Sequence, residues 1–345
     1  MLMRRLRLRH PWIVIVPLAL AAAGLAVLSA RAPEAGPPPE PMSLEDYRRV
    51  ESEFVSILKE RGAGAALAEL RRRVAAEPDV VRECHSIAHT LGHEAYAAAG
   101  DFGAALLQAD GICNSGFFHG VIEAHFAGVE DVAAAARTVC AAYPSGTYPG
   151  WQCRHGVGHG LMFSTENDLP GSIALCEGFE DAAARDGCVN GVYMENFNVE
   201  RKLHPSAYLK EDDPSFPCGE PGTAHKSECY NYAPVFYLAL HPGRYAEALA
   251  WCGRVEEGFR PTCAAGVGAQ ALKEHLDDPA LVERACGKGG AEASRHCVRG
   301  MATQAAFHYG ALEPARALCA GLKRGNRASC EAGLKGFEAM FRDAR

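Results

Sequence analysis

The sequence predicts an all-α fold: a right-handed αα-repeat solenoid of about eight helical pairs, stapled by disulfides. Three observations predict it. The chain is rich in alanine and only 8% aromatic, a mixture that favours helices. Its cysteines fall on a regular ruler. A basic, then apolar leader precedes them, which places the remainder in a compartment where disulfides persist.

The leader comes first. Arg4, Arg5, Arg7 and Arg9 precede Trp12–Ala30, 19 residues without a charge. A basic end before an apolar run marks an export signal whose start stays in the cytoplasm. The run is long for a signal peptide and just long enough to span a bilayer. The cleavage sites are poor, because Leu28 is bulky and Pro33 follows Ala32. Residues 1–30 are therefore expected to be an uncleaved anchor, with the membrane as a partner and the rest periplasmic or at the cell surface. Residues 31–43 hold five prolines and read as a semi-rigid linker, after which Ser43 can cap a helix starting at Leu44. Beyond residue 31 there are 30 basic and 42 acidic side chains, a formal charge of −12. Nucleic-acid binding needs a basic face, so that class is excluded.

The cysteine ruler runs through the rest. The chain has 14 cysteines, an even number in an exported context, which reads as a disulfide framework. Cys140–Cys153 are 13 apart and Cys176–Cys188 are 12 apart. Cys218–Cys229, Cys252–Cys263, Cys286–Cys297 and Cys319–Cys330 are each 11 apart. The second member usually has glycine three residues on: Gly156, Gly191, Gly266, Gly300 and Gly333. Successive second members lie 33 to 41 residues apart, close to the length of a helix–turn–helix unit. Each unit is expected to run from a first helix ending at the first cysteine (Tyr245–Cys252, Pro314–Cys319), through a polar turn, to a second helix opened by the second cysteine. The glycine would let the helices approach closely. Each short loop closed adds about 3 kcal/mol. C-x-x-C pairs, which would point to metal-bound thiolates, do not occur. Cys84 and Cys113 have no cysteine at the local spacing and are expected to pair with each other. That requires Cα atoms under about 7 Å apart, where neighbouring helix axes usually sit at ~8–10 Å.

On this period and cysteine placement, residues 44–345 resemble the disulfide-stapled helical repeats of the Sel1-like and tetratricopeptide type. The resemblance is architectural; the tryptophan, leucine-glycine and tyrosine signature positions are not matched in order. It implies a curved solenoid and a protein partner on the concave face, and it assigns no functional residue. Within it, residues 44–198 are expected to form N-terminal repeats, 199–217 an inserted loop that is more a solvated segment than a lid, and 218–345 C-terminal stapled repeats.

The histidines carry the only chemistry. Seven of the 14 lie between residues 85 and 159. His85, His89 and His93 form one helical stripe, His155 and His159 repeat the i, i+4 spacing, and His119 has Glu123 at i+4. Such pairs project two ligands from one helix face. Counting six residues on from Cys113, Cys153 and Cys188 gives His119, His159 and Met194, while the first unit has Thr90 with His89 beside it. Later units place Val235, Ala269, Thr303 and Gly336 there, so the second half reads as scaffold. The expected metal ligands are His89, His93, His119 and His159, converging to about 4 Å between ring nitrogens for bonds of 2.0–2.1 Å. His85, His155, Met194, Glu94, Glu123 and Glu195 are further candidates. This set fits zinc, copper or iron or a non-covalent haem, with hydrolytic or redox chemistry if a coordination position stays open. The alternative is a protein-binding scaffold with structural histidines. Tyr143–Trp151 reads as a rigid aromatic turn packed round a disulfide.

Overall fold

The computed structural model describes residues 42–198 and 206–342. The expected anchor at 1–30 lies outside the described residues. No described helix is long and apolar enough to cross a membrane.

The described residues are helical, with no strand among them. The first half holds α1 (Leu44–Arg61), α2 (Ala63–Val74), α3 (Pro78–Ala99), α4 (Phe102–Leu106), α5 (Ile112–Phe126), α6 (Val132–Thr138), α7 (Tyr148–Ser164), α8 (Leu169–Cys176) and α9 (Ala182–Asn198). The second half holds α10 (Lys226–Leu240), α11 (Tyr245–Cys252), α12 (Arg260–Glu274), α13 (Pro279–Cys286), α14 (Gly290–Tyr309), α15 (Leu312–Gly321), α16 (Arg324–Lys335) and α17 (Glu338–Arg342). Local chemistry sets their limits. Ser43, Asp101, Asp131, Thr147 and Asp278 accept a backbone N–H at the start of α1, α4, α6, α7 and α13, as polar N-caps do. Gly100 and Gly310 end α3 and α14 with left-handed φ of 62° and 61°, which glycine adopts without strain.

Short helices separate most of the long ones, and each long helix packs on the next, from α3 through α5, α7, α9, α10, α12 and α14 to α16. Six disulfides, Cys140–Cys153 to Cys319–Cys330, tie the segment before each long helix to that helix, with Cα atoms 5.5 to 5.8 Å apart. Every half-cystine is buried. The long helices begin three to seven residues before their cysteine: α12 starts at Arg260 for Cys263, α14 at Gly290 for Cys297. The cysteine thus sits inside the helix and not at its opening.

Cys84 and Cys113 are bonded to each other, at a Cα separation of 5.6 Å. Cys113, Asn114 and Ser115 have φ of 58°, 53° and 57°. Cys113 therefore lies in a left-handed turn leading into α5, which brings it closer to α3 than a same-slot helical position would be. Left-handed backbone costs about 1–2 kcal/mol per residue outside glycine, and the disulfide and packing hold it in place.

The slot glycines make the close approach. A methyl group at Gly191, Gly266 or Gly300 would overlap the backbone carbonyl of His155, Asn231 or Ala265 on the preceding long helix. Gly120 stands in the same relation to the carbonyl of His89.

The array curls back on itself. In an open solenoid a repeat touches only its neighbours; here α14 packs against α5. The Tyr148 hydroxyl donates to the Phe307 carbonyl at 3.0 Å and accepts from Gln152 Nε2 at 2.9 Å. Gln304 reaches Asn114 at 3.4 Å, and the rings of Trp151 and Phe307 meet edge to face at 5.1 Å. The aromatic turn before Cys153 thus joins early and late helices as well as packing near a disulfide. The curl borders a half-open cavity of about 690 Å³. Within the 199–217 insertion, the described part is folded onto the body: Tyr208 and Leu209 pack on the core, and Ser206 donates to Asn196 at 2.7 Å.

If glycine contact sets the helix spacing, Gly300→Ala should lower stability by about 1–3 kcal/mol through overpacking. Gly336→Ala, where nothing stands within 4 Å, should be close to neutral. Urea denaturation of the two variants checks this.

Candidate metal centre

Helices α3, α5 and α7 bring five imidazoles together. α3 presents His85 and His89 from one face, α5 presents His119, and α7 presents His155 and His159. His119, His155 and His159 are buried at 0%, 3% and 1% exposure, and the other two are half-buried. His85, His89 and His119 each have a ring nitrogen within 4.8 Å of the others, and so do His119, His155 and His159. His119 belongs to both sets.

The two flanking pairs are built alike. His85 Nε2 and His89 Nε2 lie 3.2 Å apart, as do His155 Nε2 and His159 Nε2. A tetrahedral ion with bonds of 2.0–2.1 Å has ligand atoms about 3.3 Å apart, so each pair already spans one edge of such a site. Acceptors behind the rings fix their protons. His85 Nδ1 donates to the Cys113 carbonyl at 2.7 Å, so the left-handed turn at Cys113 also orients this ring. His89 Nδ1 donates to Glu123 at 3.1 Å and His159 Nδ1 to Glu195 at 2.6 Å. Carboxylates in that position orient metal-binding histidines and raise their basicity.

With Nδ1 protonated in both rings, neutral His85 and His89 point bare Nε2 lone pairs at each other. A proton or a cation must lie between them. In the inner pair, His155 can carry its proton on Nε2 and donate to His159; moving it to Nδ1 frees both nitrogens. His119 stands between the pairs. Its ring centroid is 5.3 and 5.2 Å from His85 and His89, and 5.1 and 4.6 Å from His155 and His159. Neither of its nitrogens has a hydrogen-bond partner. Leaving a buried polar atom unpaired costs about 1–3 kcal/mol.

The electrostatics keep most of these rings neutral. Burial, followed by neighbouring histidines, pushes His85, His119 and His155 well below the ordinary value. Burial also opposes charge on His89, but Glu123 outweighs it and raises His89. At Glu123 burial is again opposed by His89 and His93, which hold the carboxyl well below the usual range. Neutral imidazole is the ligand form.

The other sequence candidates fall around this centre. His93 does not join either triad; its Nε2 donates to Glu123 at 3.0 Å from a half-exposed position. Met194 Sδ lies 3.3 Å from His155 Nε2. Glu94 pairs with Lys59 at 3.0 Å, away from the rings. Thr90, the slot residue of the first unit, bonds Glu51. His155 and Met194 line the half-open cavity with Trp151, Lys273 and Arg299, and Trp151 stacks on His155 at 4.9 Å. The sequence ranking placed His93 above His85 and His155. The matched i, i+4 pairs His85/His89 and His155/His159 are the residues that the fold brings together with His119.

Comparison with protein-family models, curated proteins and solved structures finds no match.

The buried imidazoles imply acid sensitivity in the metal-free protein. A histidine lowered in the folded state binds its proton in the unfolded chain first, so stability falls as pH drops below about 6.5. His308, outside the cluster, is lowered to about 4 by burial and alone should cost about 2 kcal/mol by pH 5. His85, His119 and His155 act in the same direction, and raised His89 opposes them. Urea midpoints are expected to fall steadily from pH 7 to pH 5, and His308→Gln should flatten that slope.

Proposed function

We propose that this chain is an extracytoplasmic, membrane-anchored helical-repeat protein, solenoid-like in build, that binds a transition metal through its histidine cluster. One observation carries the reading: His119 is fully buried, has no partner on either nitrogen, and lies at the centre of four other imidazoles. Histidines kept for packing would have their ring nitrogens matched to backbone, side chain or water. Seven disulfides fit an oxidising compartment, and the apolar run at 12–30 supports anchoring.

All-imidazole sets suit zinc, copper and iron; the Met194 thioether at the edge of the cluster favours copper. Rings packed at 4.6–5.3 Å leave no slot for a haem. A metal here would lie beside a cavity of about 690 Å³, a volume typical of small-molecule sites. That supports a small ligand reaching the centre more than a protein docking on a concave face. Hydrolytic or redox activity would follow if a position stays open to that ligand.

Protein purified from an oxidising compartment should carry metal by elemental analysis. Replacing His119 and His159 together by alanine should abolish it while helical circular dichroism is retained. Unchanged metal content would reject the reading. Glu123→Gln keeps an acceptor for His89 but removes its charge, and should weaken metal affinity about 10–100-fold, measured by competition with a chromogenic chelator.

A further inference from the structure

The cluster has more donors than one ion can use, and they are arranged in two groups. Ligands of a single ion with bonds near 2.0–2.1 Å can be at most about 4.2 Å apart. The five nitrogens do not all meet within such a distance; they form two triads that share His119 alone. Each triad has its own edge of Nε2 atoms 3.2 Å apart. Each also has its own acidic residue behind the second histidine, supplied by the next long helix: Glu123 on α5 for His89, Glu195 on α9 for His159. The plan used on α3 and α5 is repeated on α7 and α9, with His119 in between.

We propose that the centre is dinuclear and that His119 bridges it. One divalent ion sits on His85, His89 and one nitrogen of His119; the other sits on His155, His159 and the opposite nitrogen. This rests on the metal-binding reading above. An imidazole nitrogen has one lone pair in the ring plane, so a ring shared by two ions must use both nitrogens. His119 meets that requirement, since neither nitrogen is engaged by any other group. The first ion takes lone pairs of neutral rings. On binding the second, the N–H proton of His119 passes to solvent and the ring becomes an imidazolate; no electron is transferred. The anionic bridge and the acidic side chains of Glu123 and Glu195 offset much of the charge of two buried dications, whose burial unpaired would be prohibitive.

The two positions differ in their surroundings. The outer one is flanked by Glu123 and the half-exposed His93. The inner one has Met194 Sδ next to His155 and borders the cavity. A soft thioether at the inner position makes it the copper-preferring member.

The test uses the full chain with its disulfides intact, stripped of metal and titrated with Cu(II) alone. Bound copper is counted by elemental analysis and its unpaired spins by integrated electron paramagnetic resonance. Two coppers per chain are expected, with spin intensity well below two because the ions couple through the bridge. His85→Ala and His159→Ala, made separately, should each bind one copper with one full spin. His119→Ala should abolish the coupling, so that any copper retained shows its full intensity. One copper per wild-type chain, or two with two full spins, overturns the bridge and leaves metal binding standing. No bound copper overturns the dinuclear centre, and absence of metal from the protein as purified overturns the metal-binding reading as well. The single-arm variants keep the test decisive if His119→Ala does not fold.

Discussion

Backbone-to-backbone contact between consecutive long helices is the constraint on which the histidine cluster depends. Helices with ordinary side chains between them sit ~8–10 Å apart. Here glycine faces the neighbouring long helix, Gly116 and Gly120 across α3 and α5 and Gly158 and Gly191 across α7 and α9, and an added methyl would strike a carbonyl at each. Residues with a Cβ at these points would push α3, α5, α7 and α9 apart. The 3.2 Å contacts within His85/His89 and His155/His159 come from i, i+4 spacing on one helix. The approach of His85/His89 to His119, and of each pair to its glutamate, comes from these glycines; between α5 and α7 it is Gly156 that lies against the side chains of Ile122 and His119.

That approach has an electrostatic consequence. Burial disfavours protonation of His85, His119 and His155, first by desolvation and then by repulsion from neighbouring imidazoles. The fold holds them there with disulfides on either side: Cys84–Cys113 joins α3 to the start of α5, and Cys140–Cys153 anchors α7. Such bonds constrain the unfolded chain and so help to retain an arrangement whose polar atoms are not all satisfied. A cluster of imidazoles with carboxyl groups behind it could hold a cation.

The curl of the array connects this centre to the rest of the molecule. Tyr148 and Trp151, at the start of α7, reach α14, more than 150 residues away in sequence. The same Trp151 stacks on His155. The C-terminal helices contribute no imidazole to the cluster, but they help to line the cavity that His155 also borders.

Much of the fold was legible in the sequence because it depends on local spacing. Cysteines 11 to 13 apart can only be bonded within one unit, caps and glycines mark helix ends by short-range chemistry, and i, i+4 histidines share a face whatever surrounds them. The residue types of the centre were legible for the same reason. The sequence could not rank them, because ranking depends on helix phase relative to neighbours. The left-handed turn at Cys113–Ser115 alters the register between α3 and α5, so that His85 and His89, one and five residues after Cys84, face His119, while Thr90 turns to Glu51 and His93 to Glu123. The curl was also beyond reach, since it rests on contacts such as Tyr148 with Phe307 that no repeat period encodes. Local geometry is written in short spacings; the meeting of distant surfaces is decided by the accumulated angle of many packed helices, and only the tertiary structure shows its outcome.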